Sequence, residues 1–551
     1  MLTSFKSRLF HGIFSNSQSV LDTSGNVSFC RKCHKNQSRV FSTEQPDTRS
    51  KWKSVIGLEV HAQINANSKL FSDAEVKYLA PPNSKVALFD AAVPGTLPIL
   101  NRRCVEAGVI TALSLSSKVN PVSLFDRKHY FYADLPAGYQ ITQQRKPLAL
   151  GGFLAFEVFT PGYHKEAYKK SCQLIQLQLE QDSGRSLHDE KKHRSLIDLN
   201  RAGVALMELV FAPDLNDGEE AVAMIRELCS LLEALDVCSC KMEEGALRVD
   251  ANISVCPMDA SELGVRSEVK NIASARGVGN AVHFEVKRQI EILEKGGTVI
   301  NETRFWDAQT NSTYPMREKE DTLDYRFMPE PNLLPLRVDL TGEISHRDIV
   351  SVPKLKALIP ELPMQIRHRL KNDFKLSQTA IIAFMADSKL RSYFLEVMSC
   401  NPDCNPKIAS NVLQIELLGV LNKHNLNSKD CTLQSSVVAE IVSLLQRGTI
   451  NLASVRKLFV ELIINNSSKT PAQLVEENQW QLITDVVVIQ DICKEIIIQE
   501  SKMVDHYKNV GPRKKERMFN SLMNKLSNKY DGKVDMKQAV EVMKELLNKI
   551  S

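Results

Sequence analysis

The sequence predicts an α+β fold, with an antiparallel or mixed sheet in the first part of the chain and helices alone afterwards. Three observations predict it. Four stretches before residue 271 alternate apolar and polar residues, the period of a strand with one wet face. Two segments in the same region, Glu219–Leu235 and Ala281–Leu293, space their apolar residues as helices packed on a sheet do. From about residue 346 onward only helical spacing recurs.

In chain order, Leu58, Val60, Ala62 and Ile64 alternate with Glu59, His61 and Gln63. Ile175, Leu177 and Leu179 alternate with Gln176, Gln178 and Glu180. Leu247, Val249, Ala251 and Ile253 alternate with Arg248, Asp250 and Asn252. Val265 and Val269 alternate with Arg266, Glu268 and Lys270. Later apolar stripes are Val437–Leu445, Val455–Leu462 and Val540–Ile550. Asn401-Pro402, Asn405-Pro406 and Thr470-Pro471 break the helices between them.

A chain of 551 residues exceeds one ordinary core. The expected division is a sheet-based catalytic domain over 52–345, a helical linker over 346–400 and a helical tail over 401–551. The composition, 43% hydrophobic and 25% charged, is that of a globular protein. No run of about 18 apolar residues occurs, which excludes a membrane-spanning helix on sequence grounds. The 12 cysteines are scattered and read as reduced thiols rather than a disulfide scaffold.

Residues 1–41 carry six basic side chains against the single acid Asp22, with serines and an amphipathic start. This is the profile of a mitochondrial transit peptide, cleaved after Phe41, and it predicts a matrix location. Cys30-Arg31-Lys32-Cys33-His34 matches a haem-attachment pattern. It precedes any foldable core and is read as coincidental.

If the four alternating strands share a sheet, Glu59, His61, Glu180, Asp250 and Glu268 can converge on a divalent cation. Arg248, Arg266 and Lys270 would then lie beside them, suited to phosphate. Asn200 and Arg201, before the Gly203 turn, offer further phosphate or ribose contacts. Between Phe125 and Tyr132 aromatics interleave with bases, a pattern that also fits a partly buried strand. A basic cluster between Lys508 and Lys533 terminates the helical region. It reads either as a solvated face or as a nucleic-acid contact. The chain lacks the phosphate loop GxxxxGK[ST] and the nucleophile elbow GxSxG.

Taken in order, a set of segments resembles the B-subunit family of the aspartyl/glutamyl-tRNA amidotransferases, in its mitochondrial form. They are Gly57-Leu58-Glu59-Val60-His61, Phe125-Asp126-Arg127-Lys128, Asp134-Leu135-Pro136 with Gly138-Tyr139-Gln140, and Asp198-Leu199-Asn200-Arg201-Ala202-Gly203. Met242-Glu243-Glu244-Gly245, Asp250-Ala251-Asn252, Glu268-Val269-Lys270-Asn271, Glu302-Thr303-Arg304 with Trp306-Asp307, and Asp324-Tyr325-Arg326 with Pro329-Glu330-Pro331 continue it. The tail resembles the family's YqeY-like helical tail more loosely.

The resemblance implies a glutamine-synthetase-like catalytic domain. It also implies a heterotrimer in which two further proteins take part, an amidase (the A component) and a small C component. The implied reaction is ATP- and Mg2+-dependent conversion of Glu-tRNA(Gln) to Gln-tRNA(Gln), with ammonia supplied by the amidase. Carried over by motif, Glu59, His61, Glu180, Asp250 and Glu268 form the catalytic Mg2+ site. Arg248, Arg266 and Lys270, with Asn200 and Arg201, bind the nucleotide. Relatives carry paired zinc-binding cysteines near residues 71–95; their lack here predicts no structural zinc. Ala205 stands where relatives usually have proline, and Asn520–Lys525 departs from their glycine-containing tail segment. Two rivals remain: a non-catalytic tRNA-binding scaffold of the same complex, and a free-standing ligase for a free amino acid.

Overall fold

The computed structural model describes residues 51–316, 325–344, 346, 348–508, 510–530 and 533–550. The transit-peptide segment, its CxxCH pattern and Asp324 lie outside them.

Ten strands form one sheet. In chain order they are β1 (Trp52–Gln63), β2 (Lys118–Val119), β3 (Ala149–Leu150), β4 (Phe153–Val158), β5 (Tyr168–Gln181), β6 (Ala205–Phe211), β7 (Leu247–Pro257), β8 (Ser267–Lys270), β9 (Glu302–Asp307) and β10 (Ser312–Pro315). The spatial order is β10-β9-β8-β7-β1-β6-β5-β3-β2, with β4 on the outer half of β5. Every pairing is antiparallel except β8 with β9. The sheet is therefore mixed.

Alternation assigns the two faces. Leu58, Val60, Ala62, Leu177, Leu179, Leu209, Val249, Ala251 and Val269 are buried in one core. Three helices cover that face: α1 (Arg102–Ser114), α2 (Gly218–Ala234) and α3 (Ala275–Glu294). Their starts are written in the sequence. Asn101, Asp217 and Ser274 each accept a backbone N–H of the first turn. Near their starts α2 and α3 meet through glycines. A Cβ on Gly218 would lie 2.5 Å from the Gly279 carbonyl oxygen, a closeness only glycine permits.

The opposite face is polar, and a small sheet touches it. This sheet joins Asp126–His129, Tyr139–Thr142 and Met328–Pro329. Its Gln140 and Thr142 bond to Glu180 and Gln178 of β5.

The irregular segment between β1 and α1 is organised by a fully buried ion pair. Lys69 Nζ donates to Asp90 Oδ2 at 2.9 Å, and Asp90 also accepts from the Ser72 hydroxyl and the Ala87 amide. Burial pulls the Lys69 pKa down, while Asp90 pushes back.

The helical part has two cores, and their division differs from the expected one. Residues from Ile366 to Val475 share one cluster, and residues from Ile489 to Leu547 another. The helices Ser388–Cys400 and Ser435–Gln446 pack on each other across residue 400, so no boundary falls there. The break lies near residues 481–485, where Ile483 bridges to Val534. The breakers work as caps: Asn405 caps Pro406–Asn411 and Thr470 forms a capping box on Pro471–Glu477. Arg367–Glu227 and Lys371–Glu157 ion pairs fasten the helical part to the sheet domain.

Asp90→Ala leaves the Lys69 ammonium buried without its partner. It is expected to cost about 3–5 kcal/mol in denaturant unfolding of the sheet domain. Replacing the pair with Lys69→Met and Asp90→Leu together is expected to cost less.

Candidate functional site

The polar face is assembled by strand register. In the middle of the sheet Glu59 faces Asp250 across one ladder and Val210 across the other. His61 faces Arg248 on one side and Glu208 on the other. Glu208 in turn faces Gln178 of β5, and Asn252 faces Glu268 of β8. Because side chains alternate, Glu180, Glu208, Glu59, His61, Arg248, Asp250, Glu268 and Lys270 project from the same side of four adjoining strands and β8.

Glu59, His61 and Glu208 offer ligand atoms that all lie within 4.8 Å of one another. His61 Nε2 is 3.7 Å from Glu59 Oε1. Burial, followed by the nearby charges of Arg248, Lys128 and Lys270, pushes the His61 pKa down to about 3. The imidazole is therefore neutral, the form that can ligate a metal. Glu208 is pushed well above the usual carboxylate range by burial and then by Glu180 and Glu59, with Lys128 working against them. Gln178 Nε2 donates to Glu208 at 2.6 Å. Glu180 receives a hydrogen bond from Gln140 on one oxygen; its other oxygen is buried without a partner.

Asp250 and Glu268 form a second group beside the first. Lys270 Nζ lies 2.9 Å from Asp250 and 3.2 Å from Glu268. Glu268 also accepts from the Thr303 hydroxyl at 3.0 Å. Burial raises the Asp250 pKa, as do Glu268 and Glu59, while Lys270 lowers it. The five expected ligands thus occupy one face as two adjoining groups, with Glu59 as the strand partner linking them.

The expected basic residues fare unequally. Arg248 Nη2 donates to Asp182 at 2.8 Å, which fixes its guanidinium at the edge of the face. Lys270 is embedded among the acids. Arg266 is exposed and lies before β8, because the ladder with β7 ends at the Ile253–Ser267 pair. The alternation that extended this strand back to Val265 overran it. Asn200 and Arg201 are engaged with backbone. Asn200 accepts from the Lys85 amide and donates to the Pro81 carbonyl. Arg201 donates to the Ser183 and Gly184 carbonyls. Their polar groups brace loops at the rim.

Two residues of the face were absent from the sequence-based set. Glu208 is the lone carboxylate in the apolar run Ala205–Phe211, and that isolation was the available signal. Lys128 comes from the small sheet. Burial opposes its charge, but Glu180, Glu208, Tyr325 and Glu59 outweigh burial and raise its pKa. It was visible only as part of the Phe125–Tyr132 segment.

Hard carboxylate oxygens with one neutral imidazole form a donor set suited to Mg2+ or Mn2+. The unpartnered Glu180 oxygen and the crowded Glu208 carboxyl fit the same ion. Lys128 is the cation near both groups, and at Glu208 it does not outweigh burial. Arg248, Lys128 and Lys270 beside them suit a phosphate chain.

Comparison with known proteins identifies the family of the chain. The profile of the GatB/GatE catalytic domain matches residues 54–342, and that of the GatB domain matches residues 392–547. The chain is 50% identical over 505 residues to the B subunit of the mitochondrial glutamyl-tRNA(Gln) amidotransferase of Aedes aegypti, covering 91% of this chain and 95% of that one. It is 44% identical to the Homo sapiens protein of the same name, over 84% of this chain and 83% of that one. It is 40% identical to the B subunit of the aspartyl/glutamyl-tRNA(Asn/Gln) amidotransferase of Rickettsia canadensis, over 85% of this chain and 92% of that one. The chain belongs to the GatB family, the B subunits of the tRNA-dependent amidotransferases, which are carbon–nitrogen ligases.

Proposed function

We propose that this protein carries out the ATP-dependent amidation of Glu-tRNA(Gln) to Gln-tRNA(Gln) in the mitochondrial matrix. It works in a heterotrimer with an amidase and a third, small protein. The observation that carries the reading is the gathering of Glu59, His61 and Glu208 beside Glu180, Asp250 and Glu268, with three cations around them. The basic, Ser-rich start of the chain and the mitochondrial names of its relatives support the compartment.

A carboxylate is a poor acyl donor, so the glutamyl side chain needs activation. Transfer of the ATP γ-phosphoryl group to it gives an acyl phosphate; ammonia from the amidase then forms the amide and phosphate leaves. A bound Mg2+ would supply charge neutralisation at the phosphate oxygens. Glu59, His61, Glu180 and Glu208, with Asp250 and Glu268, would hold it. Lys128, Lys270 and Arg248 add positive charge where the transferring group becomes anionic. Arg248 is kept in place by Asp182. Neutral His61 carries no acidic proton that would turn the attacking ammonia into unreactive ammonium. The acyl phosphate must be shielded from water, and the small sheet bearing Lys128 and Gln140 covers part of the face.

The helix Pro512–Lys529 supplies a second surface. Arg513, Lys514 and Arg517 are exposed on its first half, whereas Lys525 and Lys529 on its second half pair with Glu500 and Glu495. The first half is therefore the part suited to RNA phosphates.

The deciding experiment is formation of glutaminyl-tRNA by the reconstituted heterotrimer, with ATP, magnesium and tRNA omitted in turn. Amide formation without tRNA would indicate a free amino acid substrate; none under any condition would leave a scaffold. Asp250→Ala and Glu268→Ala are expected to abolish amide formation while the complex still assembles, as judged by size-exclusion chromatography. Glu208→Gln is expected to weaken Mn2+ binding by more than about tenfold in titration calorimetry, since a neutral amide oxygen replaces an anionic ligand. Neutralising Lys514, Lys515 and Arg517 is expected to weaken tRNA binding. It should also make the salt dependence shallower by about one unit of slope per lost phosphate contact.

A further inference from the structure

Beyond the strand Asp126–His129 the chain turns through three consecutive aromatic residues, Tyr130, Phe131 and Tyr132, that the chemistry above leaves unused. Tyr130 is tied to the carboxylate face. Its hydroxyl donates to Gln140 Oε1 at 2.7 Å, and Gln140 Nε2 donates to Glu180 Oε1 at 2.6 Å. Tyr325 stands against it, with ring centroids 6.1 Å apart, and carries the Lys128 ammonium 4.8 Å above its own ring. On the outer side Tyr130 meets Tyr132 edge-on at 5.6 Å. A row of rings therefore leads from Lys128, among the acids, to the surface.

At its outer end the row is open. Phe131 is 85% exposed and Tyr132 is 61% exposed. Leaving two large rings in water forgoes burial free energy that the fold could have used. Their placement is nonetheless fixed by backbone. The Tyr130 amide donates to the Gly138 carbonyl, closing the turn. Gly138 has φ of 72° and packs under Phe131, so that a Cβ there would lie 3.1 Å from the ring. Flat, uncharged rings held at one end of a cationic and carboxylate-lined track match a ligand with a planar base at one end and phosphates at the other.

We propose that Phe131 and Tyr132 form a stacking platform for a purine nucleotide whose phosphates reach Lys128 and the carboxylate face. This rests on the nucleotide-dependent reaction proposed above and adds the residues that hold the base. Two substrates of that reaction present a purine: ATP, and the terminal adenosine that carries the glutamyl group. Stacking tolerates either ring, and the hydrogen bonds of the row lie on Tyr130 rather than on the platform.

The test uses the reconstituted heterotrimer with Phe131→Leu and Tyr132→Leu combined, and with Tyr132→Phe as the variant that keeps the ring. KM and kcat are measured for ATP and for Glu-tRNA separately. Binding of ATP and of uncharged tRNA is measured without turnover. The double variant is expected to raise one KM, and the matching dissociation constant, on the order of tenfold with little change in kcat. Tyr132→Phe should behave as wild type. A rise for ATP assigns the platform to the cofactor's base, and a rise for tRNA assigns it to the terminal adenosine. Unchanged KM and binding for both overturns the proposal. So does loss of the partner proteins from the complex with unchanged ligand binding, which would make these rings an assembly contact. A wild-type complex that binds ATP but makes no amide would defeat the reaction proposed above; the binding measurements would still decide the platform.

Discussion

Like charges crowded onto one half-buried face are the constraint from which the rest follows. Glu59, Glu180, Glu208, Asp250 and Glu268 share a side of the sheet, and burial disfavours the ionised forms of Glu208 and Asp250. The chain answers in two ways. Lys270 stands between Asp250 and Glu268 and offsets part of that group's charge. Around Glu208 the compensation is incomplete, and the carboxyl is held up toward its protonated form. Groups pushed away from their ordinary proton affinity by burial and a specific charged neighbour mark sites of chemistry more often than sites of stability. His61 is perturbed in the opposite sense, kept neutral among cations.

Much of this arrangement was legible in the sequence because a strand's period is two. Alternation alone put Glu59 with His61, and Asp250 with Arg248, on the wet sides of their strands. The same rule erred where its premise failed. At Arg266 alternation continued on paper past the last ladder pair, and the side chain lies outside the sheet. Asn200 and Arg201 stood in a turn, where polar side chains serve the backbone as readily as a ligand. Glu208 escaped because β6 is buried on both faces along most of its length, so its pattern is a continuous apolar run. Lys128 escaped because it reaches the site from a separate small sheet, a tertiary relation that no local period encodes.

The helical half shows the same division between local and distant information. Helix starts were written as Asn405, Thr470 and the prolines after them, and the structure uses them as caps. The boundary between the two helical cores was not, because it depends on which apolar stripes face each other. Ser388–Cys400 and Ser435–Gln446 do so across the point where composition alone suggested a break.

β1 lies near the middle of the ten-stranded sheet, hydrogen-bonded along both edges and roofed on its core side by helices. Backbone so placed is the last to open in a folded chain. The floor on which Glu59 and His61 stand is thus backbone braced on both edges. On the function proposed above, a bulky aminoacylated RNA and a nucleotide would find their fit elsewhere, in the short strands and the aromatic turn above it. Compliance and chemistry are assigned to different layers of the same site.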